Sequence, residues 1–194
     1  MKTFLIAEKD RQRIARFVDV FVSTTASVAV GVPDDMRVGV ANSGGWATWK
    51  PVSSRISEPQ LEALEAQIHM AFPPLFKALL LDRCLLMTDF VVRLPRTPSD
   101  APLRELRRSL RLVEDDSYFS THGYLPFGDD SNDAGPVCFD TTRRLPDGDC
   151  PIVVVDHERI GEPGYAGTVE WPSFAALIDE IEEELKAYHE GRLA

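Results

Sequence analysis

The chain has 194 residues, is 44% hydrophobic and 27% charged, and carries a formal net charge of −10 at pH 7. A chain of this length and composition can bury roughly 70% of the surface its unfolded form exposes, so it needs no metal or disulfide staple to fold. Its acidity disfavours nucleic-acid binding, because phosphates are repelled, and no run of about 18 apolar residues is present to make a membrane-spanning helix.

The charge is unevenly placed. Residues 1–113 carry 16 Lys/Arg against 12 Asp/Glu, a net of +4, whereas residues 114–194 carry 5 against 19, a net of −14. Such an acidic segment attracts a basic partner and speeds its encounter, although acidity also serves solubility alone. Cys84, Cys138 and Cys150 leave one thiol unpaired under any scheme and form no CxxC pair. That usage fits a reducing cytoplasm. The opening MKTFLIAEKD returns to charge too soon for a signal peptide.

From Asp10 to Val22, Ile14, Phe17, Val18 and Phe21 recur at helical spacing and predict a helix. Val28, Val30 and Val32, then Met36, Val38 and Val40, alternate on either side of Pro33-Asp34-Asp35, which predicts a two-strand hairpin. After the turn Asn42-Ser43-Gly44-Gly45, Trp46 and Trp49 are expected to pack this extension, residues 1–54, onto the remainder, residues 55–194. Ser57-Glu58-Pro59-Gln60 has the form of a capping box with proline in the first turn, and Leu61, Leu64, Ile68 and Phe72 follow on one face. Pro73-Pro74 stops that helix and opens the next, with Leu75, Phe76, Leu79 and Leu80 as its buried stripe.

Phe90-Val91-Val92 reads as a strand and Pro95 to Pro102 as a loop. Leu103 to Leu112 reads as a helix with Leu103, Leu106 and Leu110 inward and Arg104, Arg107, Arg108 and Arg111 outward. Then comes a strand-and-turn series: residues 123–127, the loop Gly128 to Gly135, Val137-Cys138-Phe139, the turn Pro146-Asp147-Gly148-Asp149, and Ile152 to Val155. Short spacings with Asp/Gly turns predict an antiparallel meander. The last helix, Ser173 to about Tyr188, aligns Phe174, Leu177, Ile178, Ile181, Leu185 and Tyr188, with Glu180, Glu182, Glu183 and Glu184 opposite.

The chemical motifs fail one by one. In the loop after Gly128, Asp129, Ser131 and Asp133 alternate as calcium ligands would, but neither numbering puts both a glycine at position six and a glutamate at position twelve. Asp156-His157-Glu158 is not followed by the second histidine of a zincin, and no serine or cysteine stands in a GxSxG elbow. Cys138 lies between Val137 and Phe139, where a thiol acts as a small hydrophobe. The arginines at 104, 107, 108 and 111 come without a glycine-rich loop and read as a solvated helix face.

Taken in order, several stretches resemble the SUKH superfamily, whose namesake is the yeast cell-wall-synthesis and killer-toxin-resistance regulator. They are Ile56 to Glu65 leading into Phe72-Pro73-Pro74-Leu75-Phe76, then Gly123-Tyr124-Leu125-Pro126-Phe127-Gly128-Asp129, Val137-Cys138-Phe139-Asp140, Val153 to Glu158, and Trp171-Pro172-Ser173-Phe174. The pattern departs at Asp82-Arg83-Cys84-Leu85, where the family often carries a Gly-Gly or Asn-Gly pair, and residues 1–50 lie outside it. The resemblance implies an α+β fold in which a mixed, largely antiparallel sheet is flanked by helices, here with an N-terminal helix–hairpin extension. It further implies a non-enzymatic protein-binding role with no catalytic residue, metal or cofactor. Many bacterial members are similar to immunity proteins that neutralise a toxin, nucleases among them; the alternative is a regulator or scaffold of the yeast type. The acidity adds Asp129, Asp130, Asp133, Asp147 and Asp149, expected on turns between strands, as contacts for a basic toxin domain.

Overall fold

The computed structural model describes residues 5–25, 28–86 and 89–191. Helix α1 (Glu8–Thr24) buries Ile14, Phe17, Val18 and Phe21, the predicted face. It packs on α3 (Pro74–Asp82) and α6 (Phe174–His189), so the extension shares one continuous core with the rest. Three short strands follow, β1 (Val28–Val30), β2 (Arg37–Val38) and β3 (Trp46–Trp49), in the order β1-β3-β2. The expected hairpin is therefore split: β3 lies between the two valine segments, pairing Val30 with Trp46 and Val38 with Thr48. Trp49 is 3% exposed and Trp46 49%, because the strand alternates its faces. Four residues are too few to show that period in the sequence, so the tryptophans read as loose packing residues.

Strand β4 (Val52–Ser53) pairs with β5 (Arg83–Cys84). Between them, α2 (Glu58–Ile68) starts where the cap predicts: the Ser57 backbone N–H donates to Gln60 Oε1 at 2.9 Å, half of a capping box. Helix α3 buries every residue from Pro74 to Leu80, including Lys77. That is what a helix enclosed on all sides requires.

The larger sheet holds β6 (Val92–Arg93), β7 (Tyr124–Asp130), β8 (Pro136–Asp140), β9 (Ile152–Val154) and β10 (Thr168–Trp171) in the order β10-β9-β8-β7-β6. Each of its ladders is antiparallel, and with the helices this gives the α+β class. Helix α4 (Arg104–Asp115) turns Leu106, Leu110 and Val113 inward and packs on β7, α5 (Ser117–His122) and α2. Phe127 and Phe139 stack at 4.0 Å on one face of the sheet, and Phe76 and Phe174 close over them. Tyr188, expected on the buried face of α6, is 54% exposed, since that helix outruns the core by its last turn.

Gly128 shapes the sheet edge. A Cβ there would sit 2.4 Å from the Arg93 carbonyl oxygen, so only glycine lets β6 approach β7 at the bulge between Pro126 and Gly128.

Candidate protein-binding surface

The antiparallel ladders give the five-stranded sheet two loop-bearing ends. The β7–β8 hairpin loop, residues 131–135, and the connection leaving β9 share one end; residues 141–151, between β8 and β9, occupy the other. The five aspartates grouped by sequence are thereby divided. Asp129, Asp130 and Asp133 stand at the first end, and Asp147 and Asp149 at the second. Asp129 and Asp130 are also not in a turn: they are the last residues of β7, paired with Arg93 and Val92. The strand outlasts the apolar run because β6 supplies a ladder partner that the local sequence does not announce.

At the first end, the carboxylates build the loop. Asp130 Oδ2 accepts the backbone N–H groups of Asn132 at 2.8 Å and Ala134 at 3.3 Å, an Asx turn. Asp133, in the left-handed region at φ 61°, pairs with Arg93 at 2.6 Å. The same guanidinium binds Asp89 at 2.9 Å and donates to the Ser131 carbonyl at 3.0 Å. Its hydrogen bonds to Asp133 and then Asp89 raise the Arg93 pKa, which keeps the clasp charged. His157 is also structural: its Nδ1 lies 2.9 Å from the Ala134 carbonyl, and its backbone N–H donates to the same oxygen at 3.2 Å. Asp156 Oδ1 accepts from the Glu158 N–H at 3.0 Å, so this run stitches two loops together.

Asp129 faces a cleft of about 490 Å³ between the sheet edge and α4, lined also by Arg93, Arg96, Glu105 and Arg108. Asp129 is exposed at the rim, and desolvation by the cleft walls still pushes its carboxyl above the ordinary range, against the opposite pull of Arg93 and Arg108. Arg96 is held by Glu105. Nothing local in the sequence marks this cleft except the arginine spacing along α4.

At the second end, Asp147 is exposed and its Oδ1 accepts the Asp149 N–H at 3.1 Å. Asp149 turns inward and is 5% exposed. Its carboxylate accepts from Cys150 N at 2.7 Å, Phe174 N at 3.1 Å and Ala175 N at 3.1 Å. It thus satisfies the first free amides of α6, while Ser173 Oγ accepts the Ala176 N–H at 3.0 Å. Burial raises the Asp149 pKa, and the hydrogen bonds from Cys150, Ala175 and Phe174 partly offset the rise. Asp149 is a structural cap from a distant loop, not a surface contact. Asp149→Ala is expected to lower stability by about 2–4 kcal/mol in urea unfolding, since a lost cap costs roughly 1–2 kcal/mol and the orphaned buried amides add to it. Asp149→Asn, which keeps one acceptor, is expected to cost less.

The three cysteines are free and buried. Burial pushes Cys150 up to about 12 and Cys138 well above the ordinary thiol range, so both stay protonated thiols. Among the described residues, no three His, Cys, Asp or Glu side chains are grouped to hold a metal ion, and no helix is long and apolar enough to cross a membrane.

A family model matches residues 55–180, more than half of the chain, and is described as the SMI1 / KNR4 family (SUKH-1). No curated protein matches the chain.

Proposed function

Since the chain belongs to the SMI1 / KNR4 family (SUKH-1) over residues 55–180, we propose that it is a non-enzymatic protein-binding domain, and specifically an immunity protein that neutralises a bacterial toxin domain by direct binding. The family match carries this reading. The net charge of −14 over residues 114–194 supports a basic partner, a nuclease domain being one example, whose phosphate-binding groups carboxylates would occupy. At the first end of the sheet, Asp129 and Asp133 are exposed on a frame fixed by Arg93 and Asp130, so an encounter there orders little new structure. Free, buried thiols suit a cytoplasmic site of action.

Co-expression of the chain with toxin-domain proteins encoded beside its gene tests the proposal. Protection of growth, with a complex that survives purification, is expected. Asp129→Asn/Asp133→Asn is expected to weaken that complex by about 10- to 100-fold, mostly at low salt. The family match is equally compatible with a second reading, a regulator or scaffold of the SMI1 / KNR4 type. Absence of both protection and complex formation with every such toxin would favour that reading over immunity.

A further inference from the structure

We propose that the α4 face of this protein is a second interaction surface, fitted to an acidic polypeptide segment that carries an apolar anchor residue. The proposal does not rest on the toxin reading, which places its contacts at the sheet end, although the two surfaces meet at Asp129 on the rim of the cleft. Arg104, Arg107, Arg108 and Arg111 are all exposed and recur at helical spacing, so they form one ridge along α4. Among the described residues, none of the four makes an ion pair.

That is unexpected in a chain with 31 acidic residues against 21 Lys/Arg. Two of the three acidic residues of the helix are engaged elsewhere: Glu105 holds Arg96, and Glu114 accepts from Gln67 Nε2 at 2.5 Å. Four guanidiniums are therefore left facing solvent as ready carboxylate receptors.

The ridge is flanked by concave ground. On one side Arg108 borders the cleft of about 490 Å³, whose apolar lining includes Leu86, Leu94, Pro95 and Leu112. On the other, Arg107 and Arg111 border a groove of about 280 Å³ beside Gln67 and Ile68. A volume in the range of small-ligand pockets admits one or two apolar side chains. A ridge of cations above a cleft whose lining combines charged and apolar side chains fits a segment whose carboxylates meet the arginines while a leucine-sized side chain packs on Leu86, Leu94, Pro95 and Leu112.

A nucleic acid fits less well. Asp89, Glu105 and Asp129 line the cleft, and a continuous phosphate backbone would bring its charges against Asp129, which makes no ion pair among the described residues. A polypeptide, by contrast, places its charges only where the ridge receives them.

Fluorescence anisotropy with the full chain tests this, using three labelled twelve-unit probes: a peptide alternating glutamate and leucine, its lysine–leucine counterpart, and single-stranded DNA. The glutamate–leucine peptide is expected to bind at low salt. Arg107→Glu/Arg111→Glu is expected to weaken it by at least about tenfold, as is Ser109→Trp, which fills the cleft, whereas Arg11→Gln/Arg159→Gln leaves it unchanged. Arg→Gln exchanges at 107 and 111 carry the test if the charge reversals disturb the thermal melt. No binding of the glutamate–leucine peptide, equal binding by these variants, or tighter binding of either other probe would overturn the proposal. Because no toxin enters this assay, its outcome is separable from that of the co-expression experiment.

Discussion

Phe76→Ala is expected to destabilise the protein by about 3–5 kcal/mol, the range for deleting a buried phenyl group. Phe76 is fully buried on α3, and its ring meets Phe72 at 5.7 Å, Phe127 at 5.3 Å, Phe139 at 5.2 Å and Phe174 at 5.4 Å. Those partners come from the α2–α3 connection, β7, β8 and α6, so one side chain ties two adjacent inner strands to two helices. The contacts with Phe139 and Phe174 are edge-on, a geometry that adds roughly 0.5–1.5 kcal/mol per pair beyond burial. Because rings on all sides are held by their own elements, the cavity cannot readily collapse. Equilibrium urea unfolding reads the loss, and a value below about 1 kcal/mol would mean that the helices close the gap. Phe76→Leu, which retains most of the volume, is expected to cost clearly less.

Lys77→Met is expected to be of similar size, about 3–5 kcal/mol, for an electrostatic reason. Lys77 Nζ lies 3.3 Å from Glu65 Oε1, with the two side chains 8% and 2% exposed. The same carboxylate oxygen accepts the Phe72 backbone N–H at 2.8 Å. Methionine fills the space of the lysine stem but leaves the Glu65 charge buried against a single amide. A buried charge without its partner loses its hydration and gains little in return. The double variant Glu65→Gln/Lys77→Met removes both charges and keeps an acceptor for Phe72, so it is expected to recover most of the loss. Failure to recover would show that Lys77 acts through packing and not through the pair. The pair also explains how a lysine can occupy the inward side of a helix as apolar as α3.

The two substitutions sit side by side in a segment whose helices were legible from residues alone. The Ser57–Gln60 cap and Pro74 mark the starts of α2 and α3 by local chemistry, a side-chain–backbone hydrogen bond and a proline at the first helical position. Helix α2 does not run to Pro73-Pro74, however: it ends at Ile68, where His69 turns left-handed at φ 56°, and Phe72 lies outside it. The stripe of leucines and phenylalanines marks the buried face by its period. None of these signals depends on anything distant in the chain, and the structure follows them at the starts and buried faces of α2 and α3. The same is true of the last helix, apart from Tyr188, and of the arginine spacing on α4.

Elements held by remote partners were not legible. Strand β10 has three exposed residues and only Trp171 buried, so it lacks an alternating pattern; it is a strand because β9 offers it a ladder. Strand β3 is central to its sheet because β1 and β2 flank it, not because of its four residues. The short α5 begins where Asp116 accepts the Tyr118 N–H at 2.8 Å, a cap hidden within an acidic run.

The binding surface divides along the same line. The residues alone establish that 114–194 is strongly acidic, that the loop after Gly128 is rich in aspartate, and that 55–188 resembles the SUKH superfamily. Charge and motif order are properties of the chain, whatever its shape. Tertiary structure alone decided which aspartates share an end of the sheet, that Arg93 occupies Asp133, and that Asp149 is spent inside on the amides of α6. A carboxylate reads the same in sequence whether it meets solvent, a guanidinium or a helix terminus, and only the fold brings one of the three within hydrogen-bonding distance.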